Sequence, residues 1–149
     1  MSQAVPFGGK DLRLLRKSSA ADDNPTFLCT VTTKDLTKTW EYDYATVPDC
    51  DSPDALPARR SIKKMSAWSV NASGIADAKS YRELDAAAEA DTPMFVRILV
   101  ARPAAAGGGH WDGAVWFENL KIESQDMGVV KFSAQLRGEG PLAWTNATP

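Results

Sequence analysis

The stretch Val129-Val130-Lys131-Phe132-Ser133-Ala134-Gln135-Leu136-Arg137, which runs on into Gly138-Glu139-Gly140-Pro141-Leu142, decides the fold class. Val130, Phe132, Ala134 and Leu136 alternate with Val129, Lys131, Ser133, Gln135 and Arg137. Period two marks a strand with one side on a core and the other open to water or to another subunit. His110 to Trp144 as a whole reads as two such strands joined by a tight polar turn, so the last third of the chain is a β-hairpin.

Upstream of the hairpin, Pro103 to Gly109 is Ala-rich and ends in three glycines, a flexible connection. Met94 to Val100 is apolar on both faces except for Arg97, the pattern of a central strand covered on both sides. Ser80-Tyr81-Arg82-Glu83 has the capping-box form, Tyr81, Leu84 and Ala88 keep helical spacing, and Thr92-Pro93 stops the element. This predicts one short amphipathic helix over 81–90. Met65 to Asn71 is a strand around Trp68 and Val70. Lys38 to Tyr44 carries Trp40, Tyr42 and Tyr44 at period two, and is expected to pair through a turn at Asp35-Leu36 with a strand marked by Phe27, Cys29 and Val31. Lys10 to Lys17 supplies a first short strand.

Strands this short and this frequent predict a mainly β protein, an antiparallel β-sandwich or barrel of about seven strands with one flanking helix. Residues 1–9, with Pro6, Gly8 and Gly9, read as an N-terminal arm, 10–144 as a single domain, and 145–149 as a C-terminal tail. Within the domain, 45–62 is a long loop. Pro48, Pro53 and Pro57 stiffen it, Asp49, Asp51 and Asp54 make it acidic, and Arg59, Arg60, Lys63 and Lys64 reverse the sign at once.

The chain offers little chemistry. At 149 residues and net charge −2 it has room for one core and no basic surface built to grip DNA phosphates. His110 is the only histidine, and no nucleophile or orienting acid accompanies it in a recognisable pattern. Cys29, Cys50 and His110 lie in three distant segments without ligand spacing, so no metal site is expected. The three loop aspartates lack the central glycine and closing glutamate of a calcium loop. Gly107-Gly108-Gly109 has no lysine or helix start to make it a phosphate cradle. Two cysteines make no secreted disulfide framework, and neither a signal peptide nor a membrane-spanning apolar run is present, so synthesis and folding in a cytoplasm are expected. No enzyme activity, cofactor or metal is anticipated. One binding function fits the aromatics: a monomeric β-sandwich holding a carbohydrate on a pair such as Trp111 and Trp116.

A resemblance points elsewhere. Lys64-Met65-Ser66-Ala67-Trp68-Ser69-Val70-Asn71-Ala72-Ser73-Gly74-Ile75-Ala76-Asp77, followed by a short helix, resembles the central stretch of the major tail tube proteins of long-tailed, siphovirus-like bacteriophages. So does the ending, Trp111-Asp112-Gly113-Ala114-Val115, then Val129 to Leu136 and Gly138-Glu139-Gly140-Pro141-Leu142. The resemblance runs from about Lys10 to Trp144 and rests on a W-x-V-x-x-x-G-x-x-D and a terminal G-x-G-x-L motif. It implies a structural virion protein of a fold shared with contractile tails and type VI secretion tubes. Such proteins close into rings, usually of six, that stack into the tail tube and conduct DNA during ejection. It also implies other copies of the chain, a tape measure protein, a tail terminator and distal tail or baseplate proteins as partners, with DNA only in transit and no membrane. A tail terminator or baseplate ring protein of the same fold is the neighbouring possibility.

Two surfaces are expected to matter on this reading. Asp49, Asp51 and Asp54 of one subunit would face Arg59, Arg60, Lys63 and Lys64 of another, because opposite charges meet where prolines limit loop entropy. Glu118, Glu123 and Asp126, on or beside the last hairpin, are candidates for the channel wall or rim, which should be acidic or neutral so that DNA passes without sticking.

Overall fold

The computed structural model describes residues 4, 6–19, 21, 25–28, 30–124 and 126–147. Residues 1–3 and 5 of the arm, Cys29 and the last two residues of the tail therefore lie outside the described residues. Among the described residues seven antiparallel strands form one sheet in the order β2-β1-β5-β6-β7-β4-β3. They are β1 (Leu12–Lys17), β2 (Thr26–Phe27), β3 (Val31–Val47), β4 (Ala58–Ile75), β5 (Met94–Val100), β6 (Gly109–Glu123) and β7 (Lys131–Asn146), with α1 (Ala78–Glu89) between β4 and β5. The mainly antiparallel β domain with one helix is thus what forms. The sheet curls without closing: Leu12 and Leu14 of β1 share a small apolar cavity with Leu36 of β3, although these strands sit near opposite ends of the strand order.

Alternation builds the core as anticipated. Phe132, Ala134 and Leu136 of β7 are buried, opposite Gly74, Ala72 and Val70 of β4. Met94, Val96, Ile98 and Val100 bury one face of β5, and Val115 and Leu14 join them. Leu84 of α1 closes this core from above, with Tyr81 and Ala87 packed beside it.

Three local expectations are corrected. No turn interrupts β3 at Asp35-Leu36: Leu36 pairs with Val70 and packs on the core, and Asn71 donates across the strands to the Asp35 carboxylate at 3.1 Å. Apolar-polar alternation from Leu36 through Trp40 to Tyr44 outweighs the local turn propensity of an aspartate. The helix begins three residues before the anticipated start. Asp77 is its N-cap and accepts from both the Ser80 backbone N–H and the Ser80 hydroxyl, while Ala76 is held by the Val130 carbonyl. A carboxylate carries the helix N-terminus better than the serine three residues on, since it is also an anion at the positive end of the dipole. The loop is also narrower than 45–62, because β3 extends to Val47 and β4 starts at Ala58.

Candidate functional site

The two stretches that carried the resemblance meet in space. Trp68 of β4 is buried, with its ring over Gly113 of β6 and Gly138 of β7. A Cβ on Gly113 would stand 2.6 Å from Trp68 Cζ2, and one on Gly138 would run into Cε2 and Cδ2. The indole N–H donates to the Gly140 carbonyl at 3.0 Å. Gly140 itself has φ +73°, inside an irregularity where β7 carries extra residues opposite β6. Gly138 therefore makes room for a ring of its own subunit, while Gly140 is exposed and offers that ring its carbonyl.

The opposite face of β6, β7, β4 and β3 is polar. By register Thr33, Asp35 and Thr37, then Ser69, Asn71 and Ser73, then Ser133, Gln135 and Arg137, lie side by side, with Asn119 and Lys121 beyond. Its charges are largely matched within the subunit. Arg137 reaches Glu118 at 3.3 Å, Lys121 bridges Glu123, and Trp116 donates to Glu139 at 3.0 Å. Glu118 and Glu123 thus sit on this face, held by bases, and Asp126 lies in the turn between β6 and β7. Lys121, first by its hydrogen bond and then by its charge, holds the Glu123 carboxyl below the usual range.

Further toward β1 the same face carries a tighter ionic group. Asp112 accepts from Arg97 Nε at 2.7 Å and Nη2 at 3.3 Å, and lies 3.7 Å from Lys17 Nζ, a lysine that is 6% exposed. Burial alone would raise the Asp112 pKa, but the Arg97 hydrogen bond, with the charges of Arg97, Lys17 and His110, brings it below the usual carboxylate value. His110 Nε2 stands 3.5 Å from Asp112. Its pKa is nevertheless lowered, chiefly by burial and then by Arg97, with Asp112 pulling the other way. A folded-state pKa below the ordinary value of about 6.5 means that folding favours neutral imidazole, so this stability is present above pH 6.5 and lost as pH falls through the lowered value. Thermal unfolding midpoints should therefore drop between pH 7 and 5 more steeply in the wild type than in His110→Gln. Equal slopes would remove His110 from the account.

None of this is catalytic geometry. His110 meets Asp112, Arg97 and Lys17, an ionic network of one carboxylate and its cations, with no nucleophile in it. No group of three or more His, Cys, Asp and Glu side chains could hold a metal ion among the described residues. Cys50, at the far tip of the β3–β4 hairpin, is an exposed free thiol. Trp111 and Trp116 cannot share a ligand, because an odd spacing puts them on opposite faces: Trp111 packs at 4.6 Å and 57° against Trp144, and Trp116 lies beside Arg137.

What sequence reasoning missed is the arm. β3 and β4 continue past β7 as a two-stranded ribbon that no other strand pairs beyond Ser69. Trp40, Tyr42 and Tyr44 line one side of it, between 45% and 54% exposed. Lys63 Nζ lies 5.1 Å from the Trp40 ring and Arg59 lies 4.3 Å from that of Tyr44. Ile62 and Met65, with Val47, are exposed on the other side. The anticipated basic cluster is split accordingly. Arg59 and Lys63 stack on aromatics, Arg60 pairs with Ala45 on the reverse side, and Lys64 is the extra residue of a bulge. The period-two aromatics announced the ribbon, but nothing local announced that it would leave the sheet.

No curated protein matches the sequence. Several solved structures share the fold, three of them as follows. The tail of an empty gene transfer agent particle, refined helically in C6 symmetry, is 12% identical with a TM-score of 0.71 over 94% of this chain and 99% of that one. The virion of the native gene transfer agent particle gives 14% and 0.67 over 94% and 99%. The SPP1 tail tube gives 14% and 0.66 over 97% of this chain and 81% of that one. The family described as phage tail tube protein matches residues 6–143. With nearly the whole chain inside that match, the protein belongs to the phage tail tube family, whose members are structural parts of a virion tail and not enzymes.

Proposed function

We propose that copies of this chain close into rings of six, that the rings stack into a tail tube, and that DNA leaves the particle through the channel. The β3–β4 arm carries the reading. A two-stranded ribbon with apolar side chains exposed on both sides is poorly stable alone in water and gains most from a neighbour. The free edge of β3 adds a row of unpaired backbone groups that adjacent subunits can cover. The sixfold symmetry of the gene transfer agent tail supports the ring number. Tape measure, terminator and distal tail proteins would be the other contacts of such a tube.

The channel wall is the polar face of β6, β7, β4 and β3, with Glu118 on the wall and Glu123 and Asp126 toward the rim. Away from the Asp112 group and the arm, four acids, Asp35, Glu118, Glu123 and Glu139, stand there against three bases, Lys121, Lys131 and Arg137. A nearly neutral surface, two of whose three bases are already paired with Glu118 and Glu123, offers a polyanion little grip. Electron microscopy of the purified protein at high concentration tests the assembly: stacked rings support it, and isolated monomers overturn it. A single cysteine tests the wall. In a Cys29→Ser, Cys50→Ser background, Ser133→Cys should react with a bulky polymer-maleimide in the monomer and be shielded at least about tenfold in tubes, while Lys79→Cys on α1 stays reactive. Equal shielding of both positions would refute the assignment of the wall.

A further inference from the structure

At the root of the arm lies an open hollow of about 220 Å³, lined by Lys38, Trp40, Ser66, Trp68, Pro141 and Leu142. Trp40, Trp68, Pro141 and Leu142 give it an apolar part, Ser66 and Lys38 a polar one. Lys38 Nζ rests 5.2 Å from the Trp111 ring and Lys63 Nζ 5.1 Å from Trp40, and neither forms an ion pair with a carboxylate among the described residues.

The tip of the arm has the complementary character. Leu56 is 94% exposed, and Asp49, Asp51 and Asp54 stand in the same loop. The loop is already shaped: Asp49 Oδ1 accepts from the Asp51 and Ser52 backbone N–H groups at 3.0 and 3.3 Å, and Ala55 N–H donates to the Ser52 carbonyl at 2.9 Å. An ordered loop loses less entropy on docking. It cannot reach the hollow of its own subunit. Strand β3 runs from Trp40 to Val47 at about 3.3 Å per residue, which sets the tip roughly 20 Å from the root.

We infer that the acidic loop 48–57 of one subunit docks into the Trp40–Trp68–Leu142 hollow of another, Leu56 entering it and the aspartates meeting Lys38 and Lys63. Tip to root is a contact between different surfaces of identical chains. Unless two subunits exchange their arms reciprocally in a closed dimer, such a contact propagates head to tail and builds rings or filaments. The inference rests on the self-assembly proposed above and names the surfaces that carry it.

Two variants of the full-length chain test it. Leu56→Asp should raise the concentration needed for tube formation at least about tenfold, the effect of withholding one leucine from burial, with an unchanged monomer melting temperature. Ala55→Cys with Ser66→Cys, in a Cys29→Ser, Cys50→Ser background, should on oxidation of tubes give covalent multimers extending beyond the dimer, whereas each cysteine alone should not. Covalent dimers that extend no further would overturn the head-to-tail arrangement. Tubes that form at wild-type concentration with Leu56→Asp, or that yield no multimers, would overturn the docking, leave self-assembly standing and assign the hollow to another virion protein. A wild-type chain that stays monomeric would remove the self-assembly reading and this inference together.

Discussion

Trp68→Ala should lower the free energy of unfolding by about 3–5 kcal/mol, the usual cost of truncating a buried aromatic. The upper half of that range is expected because the space cannot refill. The ring rests on two glycines, Gly113 and Gly138, which have no side chains to move into the gap. The Gly140 carbonyl loses its donor as well, although water can replace that bond at an exposed residue. Gly138→Ala gives the converse experiment. Its Cβ is driven into the indole, so it should cost about 1–3 kcal/mol in the wild type and much less in the Trp68→Ala background. Urea unfolding followed by circular dichroism measures all three. Additive effects would mean that ring and glycine do not meet, and that the clasp between β4 and β7 lies elsewhere.

Asp112→Asn should be the next most costly change, at about 2–4 kcal/mol. Removing one member of a buried ion pair costs roughly 3–5 kcal/mol, and partial exposure of the Asp112 carboxylate reduces that figure. What remains is large because Arg97 and the buried Lys17 lose the carboxylate they share. The loss should depend on pH. The folded-state pKa of Asp112 lies below its ordinary value, so its contribution is complete above about pH 4 and fades as pH falls through the lowered value. Wild type and variant should therefore converge in strong acid and differ most near neutrality. A difference that does not change with pH would show that the shape of the asparagine, and not the missing charge, is responsible.

The elements were legible wherever a short window held enough information. The alternation of Phe132, Ala134 and Leu136 and the apolar run Met94 to Val100 named the strands and faces that the sheet uses. Local cues misled where two of them competed. Asp35 looked like a turn and Ser80 like a cap, but core packing of Leu36 kept one strand straight, and the Asp77 carboxylate reached the helix N-terminus first. Gly138 carries no local sign of its role, because a glycine does not say in sequence whether it makes room for a neighbouring chain or for its own tryptophan 70 residues away.

Assembly surfaces were legible only in part. The sign change from Asp54 to Arg59 is visible in the sequence, yet strand alternation divides Arg59 and Lys63 from Arg60 and puts the first two over tyrosine and tryptophan rings. Composition and periodicity, which depend on near neighbours, determined that this is an antiparallel β protein without catalytic machinery, and the short motifs around Trp68 and Gly138 pointed to its family. Only the tertiary structure decided that Trp68 spans three strands, that Asp112 gathers cations from β1 and β5, and that β3 and β4 outrun the sheet as an arm. Those outcomes depend on the register of strands far apart in the chain. Register follows from packing the whole apolar face at once, which no local window contains.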